Sequence, residues 1–196
     1  MSQGRPPRFL DALQALRDGL TELGIPWLVI GGVAVIARGV PRLTLDIDAT
    51  LWGPAVDLER ALHVLRRHDI APRIEGALGF AGEHHVLLLQ HGPTGVPLDL
   101  SLAWLPFEEE AIRSGQELDY AGVRLRVPRP EDLIIYKLVA ARLRDLEDAE
   151  KLLLLHGPAV DVPRIRRIVQ EFADALDDRT RPETLAQLLR RTGLED

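Results

Sequence analysis

The sequence has no cysteine, which excludes disulfides and thiolate metal sites and fits a reducing compartment. It is also nearly without lysine: of 24 basic residues only Lys137 and Lys151 are not arginine. Against such a compositional bias, a lysine at a chemically useful position carries extra weight. No apolar run reaches about 18 residues, the length a membrane-crossing helix needs. No charged-then-apolar leader opens the chain, so the expected location is the cytoplasm, with no membrane partner. A surplus of positive charge is missing as well. The net charge of −6 argues against broad, non-specific nucleic-acid binding, although a local basic groove stays open.

What remains is an ordinary globular composition, 46% apolar and 28% charged over 196 residues, enough for a substantial core. There is no internal repeat and no low-complexity segment. Apolar spacing predicts a helix over 8–23, ended by Gly24-Ile25-Pro26. A second helix carries Leu58, Ala61, Leu62 and Leu65, capped by Asp57 and closed by Ala71-Pro72. A short helix is expected around Ile74 to Phe80, a strand over Val86 to Gln90, and a turn at His91 to Gly95. Val96 to Ala103 alternates, with Asp99 and Ser101 on one face and Leu98, Leu100 and Leu102 on the other. A short helix from Glu108 to Arg113 and a hairpin turning at Ala121-Gly122 follow. Pro128-Arg129-Pro130 marks a joint. Beyond it the pattern is helical: one long helix from Glu131 to about Leu155, a second from Val162 to Leu176 and a third from Pro182 to Arg191. The expected division is an α/β part over 1–128 and a helical segment over 129–196 that contributes to a cleft.

The chemistry is concentrated between Trp27 and Leu51. An apolar run ending in Gly31-Gly32 reads as a buried strand followed by a sharp turn whose backbone can lie close to a ligand. After a short helix, a return strand places Asp46 and Asp48 on one face while Leu45 and Ile47 pack the other way. Adjacent carboxylates repel, and a divalent cation resolves the conflict. Each part alone has an ordinary reading: a tight turn of any α/β fold, an exposed strand face or calcium ligands, and, for Asp99, a buried ion pair. Together they suit two-metal phosphoryl chemistry, in which carboxylates on neighbouring strands hold ions about 4 Å apart opposite a phosphate-binding turn. Magnesium fits, since it takes oxygen ligands while keeping positions for substrate phosphates.

On the predicted long helix, Lys137, Ala141, Arg144 and Asp148 fall on one stripe, opposite Ile135, Leu138, Val139, Leu146, Ala149 and Leu153. A solvated face with Arg144 paired to Asp148 is the plain alternative. Arg142 lies at the angle of the apolar stripe, so it either snorkels or reaches a buried acid or phosphate. Arg164, Arg166 and Arg167 read as a solvated helix face, with RNA phosphate as the alternative.

In chain order, Gly31-Gly32, the run Arg42-x-Thr44-x-Asp46-Ile47-Asp48, then Leu98-Asp99-Leu100, and Lys137 with Ala141-Arg142-x-Arg144-Asp145-x-x-Asp148 resemble a known family. These motifs are similar to the minimal nucleotidyltransferases of the DNA polymerase β-like superfamily, most closely the branch of AbiEii-type (type IV) toxins. The resemblance spans about residues 27 to 153. It implies an α/β (α+β) nucleotidyltransferase fold, a small mixed sheet flanked by helices with a carboxy-terminal helical segment. It further implies magnesium-dependent transfer of a nucleoside monophosphate from an NTP to a hydroxyl, with release of pyrophosphate. Gly31 and Gly32 would contact the triphosphate, and Asp46 and Asp48 would bind two Mg²⁺ ions. Asp99 would share one ion and help deprotonate the acceptor. Lys137 would touch nucleotide phosphates, with Arg42, Thr44, Arg142, Arg144 and Asp148 completing the nucleotide site. The acceptor stays open among RNA or tRNA, protein and small molecule, as does an antitoxin partner. Two alternatives are a non-catalytic nucleotide-binding or toxin–antitoxin module and an aminoglycoside-type small-molecule transferase.

Overall fold

The computed structural model describes residues 8–195; the outer ends of the expected division, residues 1 and 196, lie outside them. The described chain divides into two compact units. One comprises the residues up to Val33 together with Leu43–Val127, and the other comprises Ala34–Arg42 with the chain from Pro128 onward.

The first unit is built on a mixed five-stranded sheet of β1 (Trp27–Ile30), β2 (Ile47–Trp52), β3 (Ile70–Pro72), β4 (Val86–His91) and β5 (Pro97–Ala103). Its order is β1-β2-β5-β4-β3, with β2 and β5 parallel and the other pairs antiparallel. Period-2 alternation decides the two faces. Ile47, Ala49, Leu51, Leu98, Leu100, Leu87 and Leu89 form a fully buried face, matched by the apolar stripes of α1 (Phe9–Leu23) and α3 (Leu58–Arg66). The two helices meet at Gly19, where a Cβ would lie 2.9 Å from Leu65 Cδ2. The other face carries Asp48, Thr50, Asp99 and Ser101; α5 (Pro106–Ser114) packs against β2. A hairpin, β6 (Gln116–Tyr120) and β7 (Val123–Val127), forms a separate two-stranded sheet, and β7 packs against β1 and α1. Asp57 caps α3 as expected, accepting the Arg60 N–H at 3.1 Å.

Around β3 the structure departs from the sequence expectation at two places. Ala71-Pro72 does not close a helix but belongs to β3, where proline is tolerated because the strand lies at the sheet edge. The following helix, α4, runs Ala77–His84, starting three residues later than expected, after Gly76 in the left-handed region.

The second unit is helical. After α2 (Gly31–Ala37), which begins in the first unit, it contains α6 (Pro130–Ala140), α7 (Leu143–His156), α8 (Val162–Leu176) and α9 (Thr180–Thr192). Leu133, Ile134, Ile135 and Leu138 of α6 are buried among the apolar stripes of α7, α8 and α9. Three polar contacts fasten the Ala34–Arg42 segment to the rest of this unit: Arg38 donates to the Pro128 carbonyl, His156 Nε2 lies 2.8 Å from the Arg38 carbonyl, and Arg42 pairs with Asp148. Arg164 is not on a solvated face. It is buried and donates to the fully buried Asp132 at 2.9 Å, while Arg129 holds the other carboxylate oxygen at the same distance.

The single long helix expected from Glu131 to Leu155 is two helices. Ala141, at φ 53°, ends α6 in the left-handed region, and Arg142 is extended before α7. Alanine favours a helix intrinsically, so the break must be imposed by tertiary partners of the flanking residues. A left-handed alanine costs about 1 kcal/mol that glycine does not. Ala141→Gly is therefore expected to raise thermal stability by roughly 0.5–1 kcal/mol; a loss of about 1 kcal/mol, the cost of glycine inside a continuous helix, would contradict the break.

Candidate active site

The parallel register of β2 and β5 sets Asp48 beside Asp99 and, two residues on, Thr50 beside Ser101. On the far side of β2, Ile30 is opposite Asp48, so the Gly31 turn falls at the end of the strand nearest the acids. Gly31 has φ +61°, and a Cβ there would lie 2.6 Å from Asp48 Cγ. Glycine is thus required twice, for the backbone angle and for the carboxylate lying against it. Asp48 and Asp99 are half-buried, whereas Thr50 is fully buried and its hydroxyl has no hydrogen-bond partner among the described residues.

Asp99 has a partner that sequence reasoning missed. Arg73, the first residue after β3, brings Nη1 to 2.6 Å from Asp99 Oδ1. The same nitrogen donates to the carbonyls of Leu89 and Leu98 at 2.9 and 3.2 Å. The approach to Oδ1 is too oblique for a hydrogen bond, so that enclosed oxygen has charge compensation without a directional donor. Reading Ile70–Pro72 as an edge strand would have pointed to Arg73; reading it as a helix end hid the residue.

Asp46 stands just outside β2. β2 begins at Ile47, and Leu45 and Asp46 form an exposed bend. Leu45, expected to pack inward, is 73% exposed. The cause is that both neighbouring strands run out there. β1 ends opposite Asp48 as the chain turns at Gly31, and the ladder to β5 begins only at Ile47 with Leu98. Thr44 closes the bend instead, its hydroxyl 2.9 Å from Asp46 Oδ1. Among the described residues no three His, Asp or Glu side chains are gathered as a ready-made metal site. The Asp48 and Asp99 carboxylates nevertheless suit a hard divalent ion: they are oxygen donors on paired positions of adjacent strands, half-buried, with Asp99 Oδ2 left outward by the inward turn of Oδ1.

The helical unit holds a second cluster. The Lys137 ammonium, 5% exposed, is 2.8 Å from Asp145 Oδ1 and 3.1 Å from Asp148 Oδ2. Arg42 Nη1 reaches Asp148 Oδ2 at 2.5 Å, and Arg142 Nε donates to Asp145 Oδ2 at 2.6 Å. The break at Ala141 makes this closure possible and removes the expected stripe. Lys137 and Asp148 come together, but Ala141 and Arg144 are exposed. Of the alternatives open for Arg142, the buried acid is the one realised. Burial opposes ionisation of Asp145, yet the hydrogen bonds from Arg142 and Lys137, and their charges, outweigh it and hold its pKa below the ordinary 3.8.

No family model and no curated protein matches the chain. Solved structures do. The solution structure of the antibiotic-resistance factor ANT(2'')-Ia matches with a TM-score of 0.61 at 21% identity, covering 86% of this chain and 94% of that one. The crystal structure of ANT(2'')-Ia with adenylyl-2''-tobramycin matches with a TM-score of 0.57 at 18% identity, covering 86% and 99%. The fold is that of a nucleotidyltransferase. An antigenic nucleotidyltransferase-like protein from Paracoccidioides brasiliensis shares it, with a TM-score of 0.50 at 16% identity over 92% of both chains. This nucleotidyltransferase fold includes, among its described residues, no helix long and apolar enough to cross a membrane.

A carboxylate whose folded pKa is depressed contributes stability that is present above its unfolded pKa and lost as pH falls through the folded one. Asp145→Asn is accordingly expected to lower the urea midpoint at pH 7, and the gap from the parent should close as pH falls below the ordinary value of 3.8. A gap that stays constant with pH would show that Asp145 is not ionised in the cluster.

Proposed function

We propose that this protein is a magnesium-dependent nucleotidyltransferase that moves a nucleoside monophosphate from an NTP to a hydroxyl acceptor and releases pyrophosphate. The observation that carries this reading is Asp48 beside Asp99 on parallel strands, at a turn where only glycine fits. In this scheme Asp48 and Asp99 would hold the metal, with Asp46, now paired with Thr44, as the third carboxylate. Magnesium, when bound, neutralises the triphosphate and lowers the pKa of the attacking hydroxyl. Gly31 and Gly32 would lend main chain to the triphosphate at the turn where the Asp48 carboxylate lies, and Asp99 would help draw the proton from the acceptor oxygen. The new bond joins that oxygen to the α-phosphorus as the bond to the β-phosphate oxygen breaks, so positioning and charge stabilisation are what the chain must supply.

Lys137 enters differently from what the resemblance alone implies. Its ammonium is enclosed by Asp145 and Asp148, which supports a positioning role: Lys137 and Asp148 anchor Arg42, four residues before Asp46. Arg142, which pairs with Asp145, and Arg144 are exposed; the resemblance alone supports giving them nucleotide phosphates.

For the acceptor, two readings have separate support. The likeness to ANT(2'')-Ia over nearly its whole length and the net charge of −6 favour a cationic small molecule such as an aminoglycoside. The ordered motifs through Asp148 favour the AbiEii-like branch, with an RNA or protein acceptor and an antitoxin partner. The retained carboxylates weigh against a non-catalytic module.

The test is to incubate the protein with each α-labelled NTP, Mg²⁺, and RNA, protein or small-molecule extract in turn. One fraction is expected to acquire label, and Asp48→Asn or Asp99→Asn should cut that transfer by roughly 100-fold or more. Full transfer by either variant would remove the acid-pair assignment.

A further inference from the structure

Arg73 has no place in the motifs that carry the resemblance. Its backbone is fixed to the sheet, its N–H donating to the Leu88 carbonyl at 3.0 Å. From there the side chain crosses β4 to β5, and one guanidinium nitrogen meets three oxygens, those of Leu89, Leu98 and Asp99 Oδ1. Two main-chain carbonyls therefore hold the guanidinium in place, and its charge is delivered to Asp99. The Asp99 side chain is 36% exposed, yet Oδ1 is enclosed. The carboxylate is thus turned edge-on, with Oδ1 inward against Arg73 and the rest of the group outward.

We propose that Arg73 is a positioning residue for the acid pair: a built-in cation that compensates Asp99 beside Asp48 and draws Oδ1 inward, so that Oδ2 would be the oxygen left for a metal. This rests on the nucleotidyltransferase reading. The geometry gives Arg73 two opposed effects. Its charge repels a divalent ion bound to the same carboxylate, which weakens metal binding. Its charge against Oδ1 favours the orientation that keeps this oxygen inward and leaves Oδ2 outward, which favours turnover. Removing it should therefore separate affinity from rate, which loss of a mere strut would not do.

Two measurements test this. In a Mn²⁺ titration followed by electron paramagnetic resonance without nucleotide, Arg73→Gln is expected to bind several-fold more tightly than the parent, while kcat for nucleotide transfer falls by about tenfold or more. Arg73→Lys keeps the charge but ends one bond short of the place where Nη1 meets the three oxygens, so it should keep the parent's Mn²⁺ affinity and still lose turnover. In metal-free buffer, Arg73→Gln should lower the melting temperature, and adding Asp99→Asn should restore much of the loss because the uncompensated charge is gone. Unchanged Mn²⁺ affinity in Arg73→Gln together with no relief from Asp99→Asn would overturn the proposal and leave Arg73 as a strut for two carbonyls. A parent protein that binds no Mn²⁺ would instead reject the nucleotidyltransferase reading. The metal-free coupling would then decide the Arg73–Asp99 link by itself, its presence supporting the link and its absence overturning it.

Discussion

Two carboxylates held side by side on parallel strands, against a turn that accepts no side chain, are the constraint from which the rest of the first unit follows. Like charges this close repel, so a fold that keeps Asp48 next to Asp99 has to supply compensation. Part of it is internal: Arg73, anchored on the Leu89 and Leu98 carbonyls, reaches Asp99. Gly31 is dictated by the same pair, because its positive φ and missing Cβ are what allow Asp48 to lie where it does. On the opposite face, leucines and alanines at alternate positions make the dry layer that holds the strands in register. A one-residue slip would bury the acids and expose the core, so sheet packing and site geometry specify each other.

The helical unit obeys a parallel rule with the signs reversed. Lys137 is buried, and its charge is met by Asp145 and Asp148, which also draw in Arg142 and Arg42. These contacts offset the cost of an alanine in the left-handed region at the end of α6. They fasten the Ala34–Arg42 segment to α7. In a chain with only two lysines, this one sits where a compact ammonium fits between two carboxylates, a place a planar guanidinium would fill poorly.

Much of this was legible in the residues. Alternation alone put Asp99 and Ser101 on one face of β5, the glycine pair marked the turn after β1, and α8 spans Val162–Leu176 as its apolar spacing predicts. The illegible parts depend on partners distant in the chain. Arg42 and Asp148 are 106 positions apart, and without that cluster nothing local argues for ending a helix at Ala141. Leu45 alternates correctly with Ile47, but no ladder remains at that end of the sheet to receive it. Arg73 follows a three-residue edge strand containing proline, the kind of segment that propensity assigns elsewhere. Arg164 looks like any solvated arginine until Asp132 is placed beneath it.

The most direct measurement is a crystal structure with Mn²⁺ and a non-hydrolysable NTP, the metal located by its anomalous scattering. The acid pair predicts a Mn²⁺ peak at Asp48 and Asp99, with the triphosphate against the backbone of Gly31 and Gly32. Nucleotide bound with its phosphates away from that turn, and no metal on either carboxylate, would contradict it.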